Sequence, residues 1–481
     1  METLIRSAVT KGVEALAEFN RKRLPEPEGG NPFLTGIHTP MEGEVTLTDL
    51  AVTGTIPEGL NGRYMRIGPN PIAADPASYH WFTGDGMVHG LAIADGKAQW
   101  YRNRWIRSNA VAKALGEESA PGPRHIFDNV NTNVVKIGER SFALVEAGSY
   151  PVELGEMLDA QRYNPFDGTL KGSFSAHPHL DPRTGENHAI CYEGRDPGTI
   201  RHVVVDRAGQ VVREEPISVK HGPMIHDCAI TERFVIVLDL PVTFSMKTLI
   251  AGHSFPYRWN PDHQARIGLM PRHGSQEEII WCDIAPGFAF HVANAYDDAD
   301  GRVVIDVCAY ASMFGEGAQG PDARNRGLER WTVDPETRSV AITTLDAAPQ
   351  EFPRCDERFF GQPYRYVWSM ALPSDPADRF VGATALYAHD LASGTRQVHD
   401  FGAGRHPGEF VFVPEHDTSP EGEGWLIGFV VDMNSQTTDL VILNARCFEE
   451  APVASIRLPH RVPPGFHGNW IAAQTAEGDA R

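Results

Sequence analysis

The sequence predicts an all-β fold closed around a central axis, and three observations carry that prediction. From about residue 45 onward, short apolar runs of strand length alternate with Gly, Asp, Asn and Pro, and almost no 3.6-residue periodicity is sustained. A hairpin pattern recurs in LAIADGKAQWY from 91, HVVVDRAGQVV from 202, RWTVDPETRSVAI from 330 and LYAHDLASGTRQV from 386. Each alternates, turns at an acidic residue with Gly or Pro, and alternates again, as the outer strand pairs of successive propeller blades do. The third observation is a set of four histidines in strand-like, turn-bounded segments: His177 in SAHPHLDP, His226 in MIHDCAIT, His291 in FAFHVANAY and His467 in PPGFHGNW. They lie too far apart for a local finger or a helical pair, so one transition metal gathers them only on the axis of a barrel or propeller.

The elements follow in chain order. Leu4, Ile5, Ala8, Val9, Val13, Leu16 and Ala17 recur at helical spacing before the basic Arg21, Lys22 and Arg23, which predicts an amphipathic helix within residues 1–30. Such a helix either docks on the body or lies on a bilayer, and the basic end keeps peripheral membrane association open. Residues 31–481 read as one propeller unit, because turn signals and strand runs continue evenly from 45 to 470. The stretch 241–263 interrupts them with an apolar, aromatic segment suited to a cap, a lid or an entry portal.

Composition narrows the function. The net charge of −20 disfavours a nucleic-acid partner, since phosphate binding needs a basic face. Six cysteines are scattered without a C-x-x-C pair, which argues against a zinc knuckle or a disulfide framework and fits a reducing cytoplasm. No run has the length and flanks of a signal peptide or approaches the ~20 apolar residues of a spanning helix. GEGAQG at 315–320 matches a dinucleotide-binding pattern, but Pro321 and an Arg-rich tract follow where a crossover helix should begin, so it reads as a surface loop. No Walker loop, G-x-S-x-G elbow or H-E-x-x-H is present.

A lone histidine in an apolar run is more often a core residue than a ligand, so the set has to be judged together. In order, the four segments resemble the iron-ligand motifs of the carotenoid cleavage oxygenase family. The resemblance extends from LNGRYMRIGPNP at 60 and WFTGDGMVHG at 81 through NTNVV at 131 to the C-terminal PPGFHGNW. It implies a seven-bladed β-propeller with a loop and helix cap over the iron-bearing face. Fe(II) on the axis would be held by His177, His226, His291 and His467. His89 belongs to a structural stretch of that pattern, and the A-H-P motif favours His177 over His179.

The family's three outer-shell glutamates match Glu146 in ALVEAG, Glu351 in QEFPR and Glu409 in GEFVFVP. This agrees with the general habit of metal-bound imidazoles, which donate their other N–H to a carboxylate. Taken singly, each glutamate could be an ordinary salt-bridge partner. Thr132 matches a position beside the open coordination site, though a plain strand threonine is an equal reading. Phe290, directly before His291, turns away from the metal if the strand alternates strictly and reaches the substrate pocket only through a bulge.

The resemblance implies O2-dependent cleavage of a conjugated C=C bond to two carbonyl products, with Fe(II) as cofactor and O2 as co-substrate. In the stilbene-cleaving branch a lysine precedes the first glutamate and binds the phenolic oxygen; Val145 stands there instead. The expected substrate is therefore a hydrophobic polyene, a carotenoid or apocarotenoid, with stilbene cleavage as the alternative. Readings from other classes are a propeller binding module with structural histidines and a calcium-dependent propeller hydrolase. Calcium prefers oxygen donors, which argues against the latter. No protein partner is predicted.

Overall fold

Seven antiparallel sheets of four to six strands, each read as one blade, surround a common axis. The structure is a computed structural model that describes residues 2–315, 317, 319–374 and 382–473. The side chains of residues 2–11, among them Leu4, Ile5, Ala8 and Val9, lie outside the described residues, as do Glu316 and Ala318 of the GEGAQG loop.

Both chain ends close the ring. The C-terminal strand Gly468–Ala472 pairs with Gly62–Pro69 and becomes the innermost strand of blade one, while the N-terminal strand Ala51–Gly54 forms the outer edge of blade seven against Ala454–Leu458. Blades two to six are four-stranded and sequential, beginning at Asn133–Ile137, His179–Leu180, Cys228–Ile230, Phe288–Asp297 and Gln350–Arg354. These inner strands pack on one another around the axis.

Burial follows position in the blade. Val303–Tyr310, the second strand of blade five, is buried at every residue, whereas the edge strand Ser339–Asp346 is exposed at most of them. A strand covered on both faces reads as a continuous apolar run, and an edge strand tolerates polar residues. Three of the hairpins read from the sequence are the outer pairs of blades three, five and six, and the one at 91 lies in blade one with a two-residue strand, Thr46–Leu47, beyond it.

The stretch 241–263 projects from blade four as a small hairpin, Val242–Phe244 with Tyr257–Trp259, around the short helix Met246–Ile250. The N-terminal helix Glu2–Arg21 docks on it. Asn20 Nδ2 donates to the Ile250 carbonyl at 2.7 Å and Arg21 Nε to that of Gly252 at 3.0 Å. Gly252 is required there, since a Cβ would stand 2.4 Å from the Arg21 nitrogen. All six cysteines are free and five are buried.

Candidate metal centre

The inner strands bring His177, His226, His291 and His467 together at the axis, with one ring nitrogen from each within 4.8 Å of the others. All four are buried. The Nε2 atoms of His226 and His291 lie 3.3 Å apart, and those of His291 and His467 lie 3.0 Å apart.

Each placement has a local cause. His467 immediately precedes the strand that closes the ring, and its backbone N–H donates to the Thr132 carbonyl at 3.1 Å. Ring closure and delivery of this histidine are thus one event. His291 sits in a bulge, where the register between Phe288–Asp297 and Val303–Tyr310 slips between Ala289 and Val292. The bulge turns Phe290 towards the centre, its ring 5.0 Å from that of His226 in edge contact, where strict alternation predicted the opposite.

Three carboxylates stand behind three histidines. Glu351 meets His291 Nδ1 at 2.5 Å, Glu409 meets His467 Nδ1 at 3.0 Å, and Glu146 pairs with His226 Nδ1. Two of these glutamates precede residues with left-handed backbone, Ala147 at φ 50° and Phe352 at φ 52°. Non-glycine residues there cost on the order of 1–3 kcal/mol each, strain that surrounding structure must hold. At Phe352 the turn brings the backbone N–H onto Glu351 Oε2 at 2.5 Å.

The electrostatics fit a cation. Pairing of His291 and His467 Nδ1 with carboxylates turns their Nε2 atoms towards one another, and His177 Nε2 is buried with no hydrogen-bond partner. Proton binding is a poor substitute at His177 and His467, whereas at His291 burial is outweighed by Glu351, which holds that imidazole above its ordinary range. Burial and the neighbouring histidines push His177 well below the ordinary imidazole range, and burial likewise lowers His467 against the pull of Glu409. Burial opposes ionisation of Glu409 too, but Arg354, His467 and the Gly468 N–H outweigh it and bring the carboxyl down to about 2. Four imidazoles suit a borderline transition metal far better than calcium.

Two cavities meet at this cluster. The front one, about 930 Å³, is lined by Trp81, Phe82, Phe255, Phe290, Phe352 and Phe466, with Thr132 and Val145 also on its wall. The rear one, about 240 Å³, is lined by polar groups including Asn133, His179, Asp227, Arg354 and Asn469. His226 borders only the front and His177 only the rear, while His291 and His467 border both. Thr132 Oγ1 donates to Asn131 Oδ1 at 2.9 Å. His89 is remote and bonds Tyr101, and His179 Nε2 pairs with Asp227 Oδ1 at 2.8 Å outside the four-histidine group.

Two residues at the site escaped the sequence reading. Asp227 bonds His179 and accepts from the Val292 N–H at 2.8 Å, tying blades three, four and five together beside two of the histidines. Its position directly after His226 was the available signal. Tyr192 donates its hydroxyl to Glu146 from the front cavity, and nothing in CYEGR announces that.

Residues 38–472 match the family model described as retinal pigment epithelial membrane protein. A carotenoid cleavage oxygenase of Mycobacterium tuberculosis is 40% identical, the alignment covering 92% of this chain and 98% of that one. This chain belongs to the carotenoid cleavage oxygenase family. Among solved structures, this family member is similar to a lignostilbene dioxygenase of Pseudomonas brassicacearum, with TM-score 0.82, 26% identity, and 93% and 100% of the two chains covered. It is also similar to cobalt-substituted Synechocystis ACO, with TM-score 0.79, 26% identity, and 90% and 97% covered.

Proposed function

We propose that the four histidines hold one Fe(II) and that the protein cleaves a conjugated C=C bond of a carotenoid or apocarotenoid with O2, giving two carbonyl products. That the chain is an oxygenase follows from its family. The observation that carries the finer reading is the convergence of four buried imidazoles at the floor of a large aromatic cavity, three of them on its wall. Iron bound there would supply the redox-active centre that lets triplet O2 react with a singlet alkene.

The chain's own residues have separate tasks. Glu146, Glu351 and Glu409 keep the Nδ1 protons in place and so keep each Nε2 available. Phe290, Phe352 and Phe466 give the polyene an apolar bed and exclude water from the front of the centre. Val145, 7% exposed on that wall, offers nothing to a phenolic hydroxyl, which favours a polyene over a stilbene despite the likeness to a lignostilbene dioxygenase.

A lipid-dissolved substrate also gives meaning to the cavity mouth. The N-terminal helix lines it with Val13 and Ala17, and Leu16, Phe19 and Met246 are 46%, 53% and 49% exposed on the same two helices. We read these as a peripheral membrane contact. No helix is long and apolar enough to cross a bilayer among the described residues.

The test is metal analysis joined to aerobic incubation with an apocarotenal and with a hydroxystilbene. One iron per chain and aldehydes from the polyene are expected. Products from the stilbene alone would replace the substrate, and absence of metal and turnover would overturn the reading.

A further inference from the structure

The three glutamate–histidine pairs are not equivalent in the fold. Glu351 of blade six serves His291 of the adjacent blade five, and Glu409 of blade seven serves His467 at the inner strand of the adjacent blade one. Glu146 follows the second strand of blade two and serves His226 of blade four, so this pair joins blades that are not neighbours in the ring, with blade three between them.

The anchoring differs in the same way. Glu351 is fixed by the Phe352 backbone N–H at 2.5 Å and Glu409 by the Gly468 N–H at 2.8 Å. These donors come from the main chain beside each pair. Side chains add to these, Arg354 donating to Glu409 Oε1 at 3.3 Å and the Tyr310 hydroxyl bonding Glu351, whereas Glu146 has no main-chain donor among the described residues and takes the hydroxyl of Tyr192 on Oε1.

Tyr192 lies in strand Asn187–Glu193 of blade three, the blade between those of Glu146 and His226. It is 5% exposed and held from the side by the ring of Tyr257, 5.8 Å away at 88°. Its hydroxyl therefore has a single defined direction, while the carboxylate faces a cavity with mostly apolar walls. Losing the donor would leave one carboxylate oxygen unpaired and free the side chain to rotate away from His226.

We propose that Tyr192 is the positioning residue of the Glu146–His226 pair: it replaces the main-chain donor that the other two pairs have, and it sets the orientation of the His226 ring. The proposal rests on the metal-binding reading above. Tyr192→Phe should leave metal-free protein folded, with a small fall in melting temperature from the unpaired carboxylate oxygen, and weaken Co(II) affinity on the order of tenfold. The Co(II) ligand-field spectrum should change as well, because the field of one imidazole changes.

Tyr257→Phe, which removes a hydroxyl from the same cavity wall but no donor to Glu146, should leave Co(II) affinity and spectrum as they are. In a Glu146→Gln background, adding Tyr192→Phe should have less than half its effect in the wild-type background, since carboxylate and hydroxyl act as one unit. Wild-type affinity and spectrum in Tyr192→Phe would overturn the proposal. An undiminished effect in the Glu146→Gln background would also do so by reducing Tyr192 to packing. Failure of wild-type protein to bind Co(II) would overturn the metal reading itself, a result distinct from any of these.

Discussion

The front and rear cavities share His291 and His467 yet differ in make-up, the front mainly apolar and the rear mixed polar and apolar. The front is wide and walled by aromatic rings; the rear has about a quarter of its volume and is crossed by hydrogen-bonded polar groups such as Arg354, Asn469 and the His179–Asp227 pair. The contrast separates two jobs. The rear braces His467 through Glu409 and the backbone through Asp227, while the front is open to an apolar substrate and orients His226 through Glu146.

The strongest challenge to this division is removal of a histidine from each side. His226→Ala, on the front, and His177→Ala, on the rear, should both reduce metal content by more than tenfold and abolish turnover, measured by elemental analysis after dialysis. Retention of metal by either variant would show that the centre does not use both faces. Next in size is Glu351→Ala, expected to weaken metal binding on the order of 10- to 100-fold while the protein stays folded by circular dichroism.

Substrate effects should be confined to the front. Phe255→Ala, in the front wall, should raise KM for an apocarotenal about tenfold without altering metal content. Leu180→Trp, at the rear, should change neither. Val145→Lys should lower polyene turnover, because a buried ammonium in an aromatic wall must be desolvated.

The smallest effect belongs to the scaffold. His188 and His202 are buried side by side, Nδ1 to Nε2 at 3.1 Å, and Arg272 donates to His188 Nε2 at 2.7 Å. Burial first, then Arg272, brings His188 down to about 3, and burial lowers His202 as well. The unfolded chain therefore binds protons that the fold refuses. The stability involved is present above the ordinary imidazole value of 6.5 and is lost as pH falls from there towards 3. Urea midpoints of metal-free protein should drop between pH 7 and pH 5.5, by about 1 kcal/mol per histidine.

Much of this architecture was legible because it repeats. Strand-length apolar runs and turns with an acidic residue and Gly or Pro predict hairpins locally, and those at 202, 330 and 386 are outer blade pairs. Phe290 was harder to read, since its direction depends on a bulge created by mismatch with the neighbouring strand, and a mismatch belongs to two segments at once. The N-terminal helix showed its amphipathic face but not its partner, the helix at 246–250. The described side chains of both helices now share one cavity mouth.

By itself the sequence determined the blade-forming strands, the chemical character of the donor set and the absence of a phenol-binding lysine at Val145, because these follow from residue type and local periodicity. Only the tertiary structure decided which glutamate serves which histidine, that Glu146 meets Tyr192 and His226 from a non-neighbouring blade, and that the centre has a mainly apolar front and a mixed rear. Those relations are distances between blades, set by ring closure through Gly468–Ala472, and no local pattern encodes a distance that exists only once the ring is closed.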